Sequence, residues 1–120
     1  IDWLLERLEP FGGDRFFVFD CPGQAELFVN HGSLPRILRL LGKRGYRLAS
    51  VMLQEAAGCA QDHRFIAMLM QALQVMLHLD MAHVNILSKL DLAQVYGEWA
   101  RPLAFYCNLD ELSELLEKTG

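Results

Sequence analysis

Positive charge is in short supply along this chain: eleven Lys and Arg stand against fifteen Asp and Glu, for a formal net charge of −4. A protein that displaces counterions from a phosphate backbone concentrates cations on one face, so direct nucleic-acid binding is not expected. Cysteine is sparse as well. Cys21, Cys59 and Cys107 are odd in number and lack paired spacing, and no basic-then-apolar leader precedes them. That pattern argues against a secreted disulfide framework and favours a reducing, cytoplasmic interior. Long uninterrupted apolar runs are missing too. The longest, FIAMLMQALQVMLHLDMA, is broken by Gln71, Gln74, His78 and Asp80, which makes it a poor membrane span and a good buried helix. The four histidines show no His-Glu-x-x-His spacing and the cysteines no Cys-x-x-Cys, so zinc chemistry is not expected. Finally, the phosphate-gripping pattern Gly-x-x-x-x-Gly-Lys-Ser/Thr occurs nowhere. The nearest stretch, LGKRGY, follows a helical pattern, and its Gly42 and Gly45 read as helix-end glycines.

What is present suffices for one core: 120 residues, 52% of them hydrophobic, fall in the single-domain range. IDWLLERLEPF opens the chain directly in an amphipathic helical pattern, without an initiating Met, and has the look of a piece of something longer. After a turn at Gly12, Gly13 and Asp14, RFFVFD predicts a fully buried strand over 15–20. SLPRILRLLGKRG predicts a helix, with Leu34, Ile37, Leu38 and Leu41 at helical spacing and Pro35 near its start. YRLASVML predicts a second strand, DHRFIAMLMQALQVMLHL a long helix capped by Asp62, and HVNIL a third strand. The long helix, apolar nearly all round, is expected to be buried on several sides; its methionines, if exposed, would instead make an adaptable partner surface. A turn at Tyr96 and Gly97, an irregular aromatic stretch to Cys107 and a final helix in LDELSELLEKTG complete the chain. Strands alternating with helices imply an α/β parallel sheet with helices on both faces.

Ligands of open parallel sheets bind beyond the carboxyl ends of the strands. The first expected strand delivers Asp20, Cys21, Pro22, Gly23, Gln24, Ala25 and Glu26; the third delivers Ser88, Lys89, Leu90 and Asp91. At the first place, Asp20 could hold magnesium through water, the Gly23 amide could approach a terminal phosphate, and Gln24 and Glu26 could orient an attacking water. The same residues also make an ordinary turn after a strand. At the second place, Asp91 could accept the N–H and amino hydrogens of guanine while the Lys89 stem covers the ring. Ser-Lys-Leu-Asp also suits a plain helix start capped by Ser88 or Asp91. Cys21 has no neighbouring base and reads as a small packing residue.

Taken jointly, a magnesium-type loop followed one strand and helix later by a base-reading tetrad resembles the GPN-loop GTPases, a branch of the P-loop NTPases. FDCPGQAEL, the HG at His31 and Gly32, ILSKLDL, and YG followed by FYCNLDELSELL carry the likeness over almost the whole chain. The resemblance implies a partial three-layer P-loop NTPase-like fold with residues 1–120 forming one partial GTPase domain. The phosphate loop, the Gly-Pro-Asn insert and the last guanine loop are absent from it. It implies Asp20 as the magnesium-linked aspartate, Gly23 as the switch glycine, Gln24 and Glu26 as the catalytic water-positioning pair, and Lys89 and Asp91 as guanine readers. Ser88 stands where many GTPases carry Asn. It further implies GTP and GDP as ligands, Mg2+ as cofactor, a homo- or heterodimer with family paralogues, and a role in RNA polymerase assembly and nuclear import, in the cytoplasm with shuttling to the nucleus. Where the family commonly ends its second strand here in an Asp-Ser pair, this chain has Glu55 and Ala56. The loss of a central strand beside the Asp20 strand would leave a sheet edge and marginal stability in isolation. A second reading, from a different class, is a non-catalytic α/β interaction module that has lost its phosphate loop.

Overall fold

The computed structural model describes residues 1–11, 13, 15–23, 32–95, 99 and 101–108. Contacts divide the chain into two compact units, Ile1–Arg47 and Leu48–Gly120.

In the first unit, α1 (Asp2–Leu8) buries Leu5 and Leu8, and it carries Asp2 in its first turn and Arg7 in its last, as the helix dipole favours. A 3-10 turn, Glu9–Phe11, extends it. The next helix, α2 (Ser33–Lys43), buries Leu41, and Leu34, Ile37 and Leu38 lie half-buried at helical spacing. Its end is set by Gly45, whose φ of +89° suits a residue without a Cβ. The Gly45 amide donates to the Gly42 carbonyl at 3.0 Å and the Tyr46 amide to the Leu41 carbonyl at 3.2 Å, the two bonds of a Schellman cap. Gly45 is thus a helix-end glycine as expected, while Gly42 lies within the last turn.

The strand expected over 15–20 is not formed. These residues lie outside helix and strand, and Phe16 and Val18 are almost fully solvent-exposed, at 103% and 94%. Phe17 packs edge-on against Phe11 at 5.9 Å and Tyr46 at 6.4 Å between ring centroids, and the Arg15 guanidinium lies over the Phe11 ring. The physical reason is that a strand exists through its hydrogen-bond ladder, and aromatic or β-branched composition supplies no partner by itself.

The second unit is a βαβ arrangement. β1 (Ala49–Glu55) and β2 (Ala82–Ser88) pair in parallel, in register from Ala49 opposite Ala82 to Glu55 opposite Ser88. This parallel pair with its helices confirms the α/β class. Between the strands come a 3-10 turn, Ala56–Ala60, and the long helix α3 (Asp62–Leu79). Asp62 is not the cap. Gln61 holds that position without a side-chain bond, and Asp62 sits in the first turn, its charge toward the positive helix end. At the other end Asp80 turns left-handed, and its amide donates to the Met76 carbonyl at 3.1 Å.

One face of β1 meets α3: Gln54 is buried and its Nε2 donates to the Met68 carbonyl at 2.8 Å. Strand alternation sends Val51 and Leu53 to the opposite face, where both are exposed, together with Val84 and Ile86 of β2. α3 is likewise covered on one side only. Phe65 and Ala72 are buried, whereas Met70, Leu73 and Leu77 are exposed, which corrects the expectation of a helix buried on several sides. The core of this unit gathers Cys59, Phe65, Phe105 and Tyr106, with Ile66, Leu69, Leu87 and Trp99 against them. Phe105 and Tyr106 come from α4 (Leu103–Asn108), a helix where the sequence suggests irregular chain. Six residues are too few to show a period, and packing of the Tyr106 ring edge-on to Phe65, 4.9 Å between centroids, holds the turn in place. The turn at Tyr96 and Gly97 and the expected final helix lie outside the described residues. Among the described residues no helix is long and apolar enough to cross a membrane.

Candidate functional site

The parallel pair ends level, so Glu55 and Ser88 sit side by side at the carboxyl edge of the sheet. Ser88 Oγ donates to the Gln54 carbonyl at 3.3 Å, tying the two strand ends together. Its hydroxyl is thereby engaged across the sheet and is not a helix cap. Lys89 then takes φ +59°, one of two positive values among the described non-glycine residues. For a lysine, whose Cβ crowds the carbonyl in that region, this conformation is strained, and such strain marks sites where geometry matters more than stability. The left-handed residue reverses the chain from strand into the 3-10 turn Leu90–Val95, where the Leu92 amide donates to the Lys89 carbonyl at 3.1 Å. Asp91 lies in the first of those turns and is exposed. The Lys89 ammonium bonds the Glu55 carboxylate, and both side chains remain more than half exposed, 53% and 57%. Ser88, Lys89 and Asp91 thus lie at one edge, and Glu55, noted in the sequence only for departing from the family's pair, joins them through its bond to Lys89. No local pattern could have shown it, because the pairing depends on strand register across 34 residues. Ala56, the second residue of the altered pair, is fully buried.

Asp20 and Gly23 belong to the first unit, in the irregular segment 15–23, and both are exposed. A Cβ built on Gly23 would meet nothing within 4 Å, leaving its backbone open to approach. Cys21 is exposed, so it is not the packing residue expected. Gln24 and Glu26 lie outside the described residues. Among the described residues no three His, Cys, Asp or Glu side chains converge as a metal cage. An exposed single carboxylate such as Asp20 suits magnesium, which keeps several waters and takes one or two carboxylates plus phosphate oxygens.

A separate polar group occupies the amino-terminal half of the sheet. Ser50 Oγ lies 2.6 Å from His83 Nδ1, and His83 Nε2 lies 3.0 Å from Asn85 Oδ1. A neutral ring with its proton on Nε2 donates to Asn85 and accepts from Ser50, so both nitrogens are satisfied. For His83 this is a structural role, one of the two, structural or solvated, expected for the histidines.

A family model described as "Conserved hypothetical ATP binding protein" matches residues 1–120. GPN-loop GTPase 2 of Xenopus tropicalis is 42% identical over 118 residues, which is 98% of this chain and 39% of the relative. GPN-loop GTPase 2 of Schizosaccharomyces pombe is 44% identical over 116 residues, 96% of this chain and 36% of the relative. GPN-loop GTPase QQT1 of Arabidopsis thaliana is 40% identical, again over 96% of this chain and 39% of the relative. The chain belongs to the GPN-loop GTPase family. It spans less than two-fifths of the length of these relatives. No solved structure matches it. Of the expected site residues, Ser88, Lys89 and Asp91 lie at the carboxyl edge of the parallel pair, and Asp20 and Gly23 lie in the first unit. The family description speaks of ATP and the relatives' names of GTP.

Proposed function

We propose that this chain supplies the base-reading edge and the metal-and-water loop of a GTPase that binds GTP with magnesium and hydrolyses it. The carrying observation is the left-handed Lys89, held between Ser88 and the turn that bears Asp91, at the carboxyl edge of a parallel pair. In that role the Asp91 carboxylate accepts from the N–H and amino groups of guanine, a pattern that adenine cannot offer. The Lys89 stem covers the face of the base. Asp20 holds metal-bound water, the Gly23 amide approaches the terminal phosphate, and Gln24 and Glu26 orient the attacking water. Magnesium, when bound, offsets the charge that builds on the phosphate oxygens. The relatives' names support the guanine reading, and family resemblance extends it to a cytoplasmic, nucleus-shuttling protein that pairs with itself or a paralogue and serves RNA polymerase assembly and nuclear import.

The test is competition binding of a fluorescent GTP analogue to the full-length protein. GTP and GDP are expected to displace it far more effectively than ATP, and Asp91→Ala is expected to abolish that preference. Equal displacement by ATP refutes the guanine assignment. A protein that binds no nucleotide at all supports the non-catalytic interaction module instead.

A further inference from the structure

The Glu55 carboxylate has no part in the chemistry proposed above, yet it is the group to which the base-reading lysine is bonded. Each partner is displayed from a firmly held point. Gln54, immediately before Glu55, is buried and bonded to the Met68 carbonyl, so the end of β1 is fixed against α3. Ser88, immediately before Lys89, is bonded across the sheet to the Gln54 carbonyl, so the end of β2 is fixed against β1. The register Glu55 opposite Ser88 places Lys89 one residue past its neighbour's partner, and the left-handed turn lets its side chain cross to the adjacent strand.

Stability alone does not account for this arrangement. An ion pair whose two side chains are half exposed contributes little to folding, because water screens it and two long side chains must be ordered to form it. The left-handed backbone at Lys89 costs more than such a pair returns, and glycine would serve the turn better. A lysine stem that must lie over a flat ring is a different matter. Its rotatable bonds have to be ordered before or during binding, and a fixed carboxylate at the neighbouring strand end orders them beforehand.

We propose that Glu55 is a positioning residue for base recognition, its carboxylate holding the Lys89 ammonium so that the lysine stem is set in place before guanine arrives. This rests on the reading of Ser88 to Asp91 as the base-reading loop. Glu55 touches no reacting atom. Its effect passes through Lys89 and is confined to guanine affinity.

The experiment measures binding of a fluorescent GDP analogue to the full-length protein, with ATP as competitor, for Glu55→Gln, Glu55→Asp, Lys89→Met, the Glu55→Gln/Lys89→Met double variant and Asp91→Ala. Thermal melts accompany each. Glu55→Gln is expected to weaken guanine-nucleotide binding about threefold, the scale of a half-exposed ion pair, while leaving ATP competition unchanged. Glu55→Asp is expected to restore most of the loss, and Glu55→Gln to have no further effect once Lys89 is Met. The inference is overturned if Glu55→Gln has no effect while Lys89→Met weakens guanine binding. It is overturned equally if Glu55→Gln weakens guanine and adenine nucleotides alike, or costs as much with Met at position 89 as with Lys. If Lys89→Met and Asp91→Ala both leave guanine preference intact, the base-reading assignment itself fails, a result distinct from these.

Discussion

Lys89 separates the demands of folding from those of recognition. Left-handed backbone costs a non-glycine residue about 1–2 kcal/mol, and the exposed ion pair to Glu55 returns less than about 1 kcal/mol. Lys89→Gly is therefore expected to hold or slightly raise the urea midpoint of the chain, whereas Lys89→Val, β-branched at the same φ, lowers it. Both substitutions remove the stem proposed to cover the base, so guanine binding by the full-length protein falls in each, and a fall only in the Val variant would mean that the side chain is dispensable. Cys59 offers a pH test. Burial, and secondarily the nearby Cys107, push its thiol from the ordinary 9.0 up to about 11. The unfolded chain therefore releases this proton first, so stability is lost as pH rises from 9.0 toward about 11. Urea midpoints measured across that window are expected to fall more steeply for the wild type than for Cys59→Ala. At neutral pH a thiol reagent is expected to label the exposed Cys21 and Cys107 and spare Cys59.

Among the elements, α3 runs over the residues its pattern predicts, and α2 follows its spacing to within two residues of the expected end, because helical periodicity is local and repeats often enough to be recognised. β2 is likewise legible, and β1 is displaced only slightly, from YRLASVML to Ala49–Glu55. The segment 15–20 shows the limit, since an apolar run states a preference for burial but not whether a neighbouring strand exists. The packing of α3 against the turn Ala56–Ala60 yields a prediction of its own. A Cβ on Gly58 would lie 1.8 Å from Met68 Sδ, so any side chain there must displace the thioether. Methionine is flexible, and Gly58→Ala is expected to cost about 1 kcal/mol by urea unfolding, with Gly58→Val approaching about 3 kcal/mol. Met68→Ala should cancel most of the Gly58→Ala penalty, a non-additivity that independent sites do not show.

For the chain as a whole, the exposed apolar groups dominate. Val51, Leu53, Val84 and Ile86 line an open sheet face, and Phe16 and Val18 stand in solvent in the first unit. Exposed apolar surface of this kind drives association. Sedimentation of the isolated chain is therefore expected to show concentration-dependent self-association that Leu53→Lys reduces without changing the far-UV circular dichroism spectrum. The isolated chain, whose sequence contains no phosphate-gripping loop, is also expected to hydrolyse GTP no faster than background. Turnover that disappears in Gln24→Leu would contradict this.

The sequence by itself determined α1, α2 and α3 and the parallel α/β character, because each depends on patterns that repeat among residues close together in the chain. The tertiary structure alone decided that 15–20 forms no strand, that α3 is covered on one side, and that Lys89 is bonded to Glu55. Those outcomes depend on hydrogen-bond ladders and contacts between residues far apart, and no local period encodes which distant partner is present or in what register it arrives.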